Sequence, residues 1–238
     1  TDQSGNSNNF TVAGGTLTNT EDSPSNVFAT LNPLAIPTSG GANTFSNGNL
    51  EITNSADANR TSFSTLGVSS GKWYYECKVL SGEMKQFIGI SKPQDSVDRI
   101  GNSANSYGYS TETARKYNNG SFSSYGTTAS SGDIIMVAFD SDNGTIWVGK
   151  NGTWFNSATQ SEIENGTTTN AMYSSITIDD FFVMGVSVED SNIQCNFGNG
   201  YFGTTAVSSA GTNASGNGIF EYDVPTGYTA LSTKGLNL

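Results

Sequence analysis

The side chains here that could do chemistry are carboxylates and two thiols, because the sequence contains no histidine. That absence removes Ser-His-Asp and Cys-His catalysis, histidine general bases and most zinc sites. Carboxylates alone leave glycoside hydrolysis, which needs two acids facing one groove about 5 to 10 Å apart. Glu162-Ile163-Glu164 is the one Glu-x-Glu pair, and it lies beside Asn165-Gly166 in a polar stretch, not along a strand above an aromatic cleft. Glu112, Asp179, Asp180, Glu189 and Asp190 share no pattern, so no catalytic residue is assigned. Asp140-Ser141-Asp142-Asn143-Gly144 resembles a calcium loop, but its Gly is one place early and the distal Glu is missing; an Asx-stabilised turn accounts for it. Neither metal nor cofactor is expected. Cys77 alternates with Tyr75 and Val79, and Cys195 with Ile193 and Phe197, which predicts two buried thiols on apolar strand faces.

Recognition chemistry is the other possibility. Tyr109, Tyr117, Phe122, Tyr125 and Trp154 lie near turns, where a ring could stack on a sugar or anchor a protein contact. Alternation along strands instead predicts that most of these rings complete a sheet's core. The candidate binding residues are Asp98, Arg99, Tyr117, Tyr125 and Trp154, with Asp98, Arg99 and Tyr117 the first to test.

These residues must be positioned by short strands. Gly132 to Phe155 (GDIIMVAFDSDNGTIWVGKNGTWF) alternates apolar runs with Asn143-Gly144 and Asn151-Gly152, predicting an antiparallel meander. Lys72 to Leu80 is the clearest alternating strand, with Trp73, Tyr75, Cys77 and Val79 on one side; Ser81-Gly82 is expected to turn it into Met84 to Ser91. Further strands are expected at Phe45–Thr53, Arg60–Leu66, Tyr107–Ser110, Ala114–Tyr117, Phe122–Tyr125, Phe181–Val188 and Ile193–Phe197. Pro93 to Ser106 and Asn156 to Asn170 are expected to be polar loops, and Ala206 to Gly218 a low-complexity bridge. Residues 1–20 read as an extended arm, Glu21 to Pro37 as an irregular segment laid over a surface, and Phe220 to Leu238 as a closing segment. The fold class is all-β, an antiparallel two-sheet jelly-roll sandwich.

Composition fits. At 238 residues one sizeable core is possible, and with only 13% charged residues the chain is polar through Gly, Ser, Thr and Asn, which suits turns and not long helices. A net charge of -11, from 10 basic and 21 acidic residues, argues against nucleic acid and anionic membranes, and Arg115-Lys116 is the only basic cluster. No apolar run approaches a membrane span and none suggests a signal peptide; beginning at Thr1, the chain is expected to be a processed product or a piece of something longer. Asn143, Asn151 and Asn165 open formal glycosylation sequons that turn composition explains.

In order, GKWYYECKV, QFIGIS, SYGYS, KYNNGSFSSYG, the Gly132–Phe155 meander and QCNFGNGYF resemble the successive strands of a SPRY domain over about 71–202. The resemblance implies a bent, concanavalin-like sandwich that recognises proteins through variable loops, here spanning 21–238 after the arm. FATLNPL, PTGYTAL and the closing Leu-Asn-Leu resemble SPRY-containing proteins of bacteriophages and environmental viral sequences. The expected function is therefore a non-enzymatic virion surface protein: a fibre, decoration or attachment subunit, made in the host cytoplasm and homo-oligomeric or part of a larger assembly. Its expected partners are other virion proteins and a host-surface receptor or glycan. A lectin-like module reading host glycan is the alternative.

Overall fold

The computed structural model describes residues 22–35, 42–93 and 98–237. The expected arm, Pro37, Asp95 and Leu238 lie outside the described residues. The strands are β1 Thr44–Ser46, β2 Glu51–Asn54, β3 Arg60–Val68, β4 Lys72–Ser91, β5 Ser106–Ser110, β6 Arg115–Asn118, β7 Ser121–Ser124, β8 Ile134–Asp140, β9 Thr145–Lys150, β10 Thr153–Trp154, β11 Phe182–Asn196, β12 Tyr201–Phe202, β13 Thr205–Ala206 and β14 Thr229–Ala230. Helix α1, Gln160–Glu164, replaces part of the expected loop. Thr159 and Glu162 form a capping box, each side chain accepting the other's backbone N–H, a signal present in the Thr-Gln-Ser-Glu spacing.

Two long strands run through both layers. Ser81-Gly82 does not turn: β4 is continuous for 20 residues, and β11 joins the two strands expected at 181–197. The Ser-Gly pair signalled a reversal, but pairing with β11 continues across it, at Gly82↔Ser191, so the backbone stays extended. The amino half of β4 pairs with β8 and with the carboxyl half of β11, which extends to β2 and β1. The carboxyl half of β4 pairs with β5 and with the amino half of β11, which also carries β3. Register shifts between Glu189, Ser191 and Ile193 mark where the β4–β11 ladder bends, as bulges do. One ribbon thus folds into two layers: β1-β2-β11-β4-β8-β9-β10, and β3-β11-β4-β5-β6-β7.

Alternation fills the space between the layers. Trp73, Tyr75, Cys77 and Val79 from one half of β4 meet Ile88 and Ile90 from the other, with Val137, Phe139, Met184, Val186 and Cys195 in the same cluster. Cys77 and Cys195 are directly paired, buried free thiols with sulfurs 3.6 Å apart. In the meander the two turns differ. Asn151-Gly152 takes positive φ at both residues, whereas in the longer loop before β9 only Gly144 does, and Asp140 accepts from Asn143 instead.

Each layer also buries part of its outer face. Outside the first, Tyr74, Met136, Trp147 and Trp154 pack against Phe28, Ile163 of α1, and Phe220, Val224 and Tyr228 of the closing segment, which adds β14 parallel to β4. Outside the second, Phe63, Phe87, Tyr117 and Val183 pack against Ile100, with the partly buried Ala35 beside them.

Candidate functional site

Ile100 explains why residues 98–102 are not the plain surface loop expected from their polarity. Its side chain is fully buried in a hollow that two glycines leave open. A Cβ on Gly185 would lie 2.7 Å from Ile100 Cδ1, and one on Gly108 would lie 2.7 Å from Ile100 O. The loop backbone is pinned as well. Ile100 N donates to Ser187 Oγ (2.8 Å), Gly101 N donates to Ser106 Oγ (2.7 Å), and Thr61 Oγ1 donates to the Asp98 carbonyl (2.8 Å).

That seat delivers Arg99 onto two aromatic faces. Its guanidinium carbon lies 4.9 Å from the Phe87 ring centre and 5.0 Å from that of Tyr117. Asn102 Oδ1 accepts from Arg99 Nε and Nη2, and Asn102 Nδ2 donates to Asp98 Oδ1, so Asp98 fixes the amide that orients the guanidinium. The stack continues outward: Tyr117 contacts Phe122 at 5.4 Å between ring centres, and Arg115 lies 4.4 Å above the Phe122 ring. Phe122 is 55% exposed. Among the described residues no carboxylate pairs with Arg99 or Arg115, whereas Lys72, Lys92 and Lys150 each hold one and Lys85 holds both Asp57 and Glu189. The arrangement can engage a partner with cationic, hydrogen-bonding edges and one open aromatic ring.

The structure brings together Asp98, Arg99 and Tyr117 of the five expected binding residues. Tyr117 is itself buried, with its ring forming the platform beneath Arg99. Tyr125 is buried elsewhere: its ring meets Phe155 edge-on at 5.9 Å, and burial pushes its hydroxyl pKa up. Trp154 is buried beside Tyr74 on the opposite outer face. Sequence reasoning missed Arg115 and Ile100 as parts of the site. The Arg115-Lys116 cluster was visible, and pairing across Asn119-Gly120 would have set Phe122 beside Tyr117.

The Glu162 and Glu164 pair is not tuned for acid catalysis. Backbone N–H donation from Thr159 and Thr226 holds the Glu162 and Glu164 carboxyls below their ordinary range, opposite to what a general acid needs. Burial raises Glu76 to about 7, but its carboxylate accepts from Tyr74 Oη and from the backbone of Glu221 and Tyr222, which ties the closing segment to β4. Among the described residues no cluster of His, Cys, Asp or Glu could hold a metal ion, and no helix is long and apolar enough to cross a membrane.

No curated protein matches this sequence. The crystal structure of the SPRY domain of human HERC1 is similar to it, with a TM-score of 0.52 at 17% identity, over 69% of this chain and 96% of that one. A likeness at that identity concerns the fold. A family model described as SPRY domain matches residues 72–200, from the first residue of β4 to just past the end of β11. The chain belongs to the SPRY domain family, whose domains mediate protein–protein interactions.

Proposed function

We propose that this SPRY domain is a non-enzymatic binding module of a bacteriophage virion surface, a fibre, decoration or attachment subunit. In this reading the outer face of the second layer, with Arg99 at its centre, is the recognition surface. One observation carries the site: an arginine with no carboxylate partner among the described residues is clamped over Phe87 and Tyr117 by a loop that Ile100 seats. Holding a cation this rigidly costs little further entropy when a partner arrives. The virion setting rests on FATLNPL and PTGYTAL, in which Phe28, Leu31, Tyr228 and Leu231 belong to the core while Leu34 is exposed. Assembly with other virion proteins, or with copies of itself, belongs to the same proposal.

Mass spectrometry of purified particles tests the setting: peptides of this chain are expected at stoichiometric levels, and their absence overturns it. For the site, Arg99→Ala is expected to lower capture of the chain's partners from such particles at least about tenfold with melting unchanged. Full capture by that variant sinks the assignment.

The glycan-reading alternative is supported by a cleft of about 320 Å³ on the other outer face, whose lining includes Trp154, Tyr222, Gln160, Glu221 and Asp223. Rings beside polar side chains suit a sugar. A glycan array with no hits removes that reading.

A further inference from the structure

The recognition face ends at a strand with an open side. Among the described residues β7 pairs only with β6, and all four of its residues are exposed. Asn119 and Gly120, both with positive φ, close the hairpin as a two-residue turn, so Asn118 and Ser121 form a hydrogen-bonded pair. Antiparallel pairing then alternates. Lys116 and Ser123 are bonded, and the bond from Tyr125 N to the Ala114 carbonyl continues the sequence. Phe122 and Ser124 therefore aim their N–H and C=O groups away from β6, toward the open side.

Side chains at this edge carry a chemical preference. Arg115, Tyr117, Phe122 and Ser124 project from the same face, since Tyr117 is paired with Phe122 and Arg115 with Ser124. The Arg115 side chain leans over the Phe122 ring, and its guanidinium has no hydrogen-bond or ion-pair partner among the described residues. Ser124 is too small to screen it. In a chain of net charge -11 with only 10 basic residues, two arginines without carboxylates on one face form a local positive field.

We propose that β7 accepts an extended acidic segment of a partner protein as an added antiparallel or parallel strand. The backbone of Phe122 and Ser124 would supply the hydrogen bonds, Phe122 the apolar contact, and Arg115 and Arg99 would receive the carboxylates. The inference rests on the reading of this face as the recognition surface and names how its partner enters. A second copy of the chain fits less well, because a two-fold axis normal to the sheet beside β7 would put the arginines of both copies on one face and oppose two strongly acidic bodies.

The test selects binders to the whole chain from a yeast-displayed library of random eight-residue peptides. Selected peptides are expected to be rich in Asp and Glu alternating with apolar residues. They should slow amide exchange at Phe122 and Ser124, a readout that needs no variant. Ser124→Pro removes an outward N–H without touching the β6 ladder, and is expected to weaken these peptides about tenfold or more. Arg115→Glu should shift selection toward basic peptides. Peptides that need Arg99 yet bind Ser124→Pro normally, and leave both amides exchanging freely, overturn the added strand while the recognition face stands. Peptides indifferent to Arg99→Ala as well overturn both. A dimer in sedimentation that Ser124→Pro dissolves also overturns it, in favour of self-pairing.

Discussion

The two outer faces of this sandwich are built from the same strands and finished in opposite ways. Outside the first layer, Tyr74, Met136, Trp147 and Trp154 are covered by Phe28, α1 and the closing segment, so β8 is buried at every position. Outside the second, Ile100 and the partly buried Ala35 do the covering, and the sheet runs out to β7, exposed at every position. Both ends contain an Asn-Gly reversal, at Asn151-Gly152 and Asn119-Gly120. Turn chemistry therefore decides where the chain reverses, while the apolar residues on the strands, and the segments available to cover them, decide which reversal becomes interior.

Two phenylalanines in comparable hairpins measure the difference most directly. Phe139 on β8 is fully buried between the layers. Phe139→Ala removes that area and leaves a cavity, and is expected to lower unfolding free energy by about 3–5 kcal/mol in urea denaturation. A loss under about 1 kcal/mol would mean that the layers do not close on each other as described.

Two turn glycines separate conformation from crowding. Gly144 and Gly120 share φ near +60° to +70°, at 58° and 71°. Around Gly120 an added Cβ meets nothing within 4 Å, whereas at Gly144 it would lie 2.0 Å from the Ile176 carbonyl. Gly120→Ala is expected to cost about 1–2 kcal/mol from backbone strain alone. Gly144→Ala adds displacement of the 173–176 segment, and about 2–4 kcal/mol is expected in total. Equal losses in thermal melts would refute the tighter packing assigned to the first layer.

Much of this was legible in the sequence. Strict alternation placed Trp73, Tyr75, Cys77 and Val79 on the core side, and the Asn-Gly pairs placed the meander. Local signals failed where long-range pairing decides. Ser81-Gly82 has turn chemistry but is held extended by β11. Tyr74 and Glu76 alternate onto the other side of that strand and are buried too, because a closing segment about 150 residues later covers them. Ile100 lies in the stretch whose polarity predicted a loop; only the glycines at 108 and 185, from two other strands, reveal its seat. Asp98, Arg99 and Tyr117 could be nominated from residue type and proximity to turns, but the stack that unites them depends on that seat.

Acid sharpens the contrast between the covers. Burial raises Glu76 to about 7 from an ordinary 4.5, so the folded chain holds this proton more firmly than the unfolded one. Its stabilisation is complete below about pH 4.5 and is lost as pH rises through about 7, a change of at most about 3 kcal/mol. Melting temperature is thus expected to rise as pH falls from 8 to 5. Asp133, Glu162, Asp179 and Asp223 are shifted below their ordinary values and lose their contribution only in stronger acid. Glu76→Gln should flatten the rise; an unchanged slope would assign the dependence elsewhere.

Phe122 gives the smallest effect and the sharpest test of the open edge. Its ring is more than half exposed and, among the aromatic and cationic groups of the described residues, touches only the Tyr117 ring and the Arg115 guanidinium. Phe122→Ala should therefore cost less than about 1 kcal/mol, against several for the same change at 139. Because Arg115 loses the surface that holds it, binding to an acidic segment should fall further than stability does. If Phe122→Ala instead destabilised the fold as much as Phe139→Ala, the β6–β7 hairpin would belong to the core. Its exposed backbone could then not be spared for a partner.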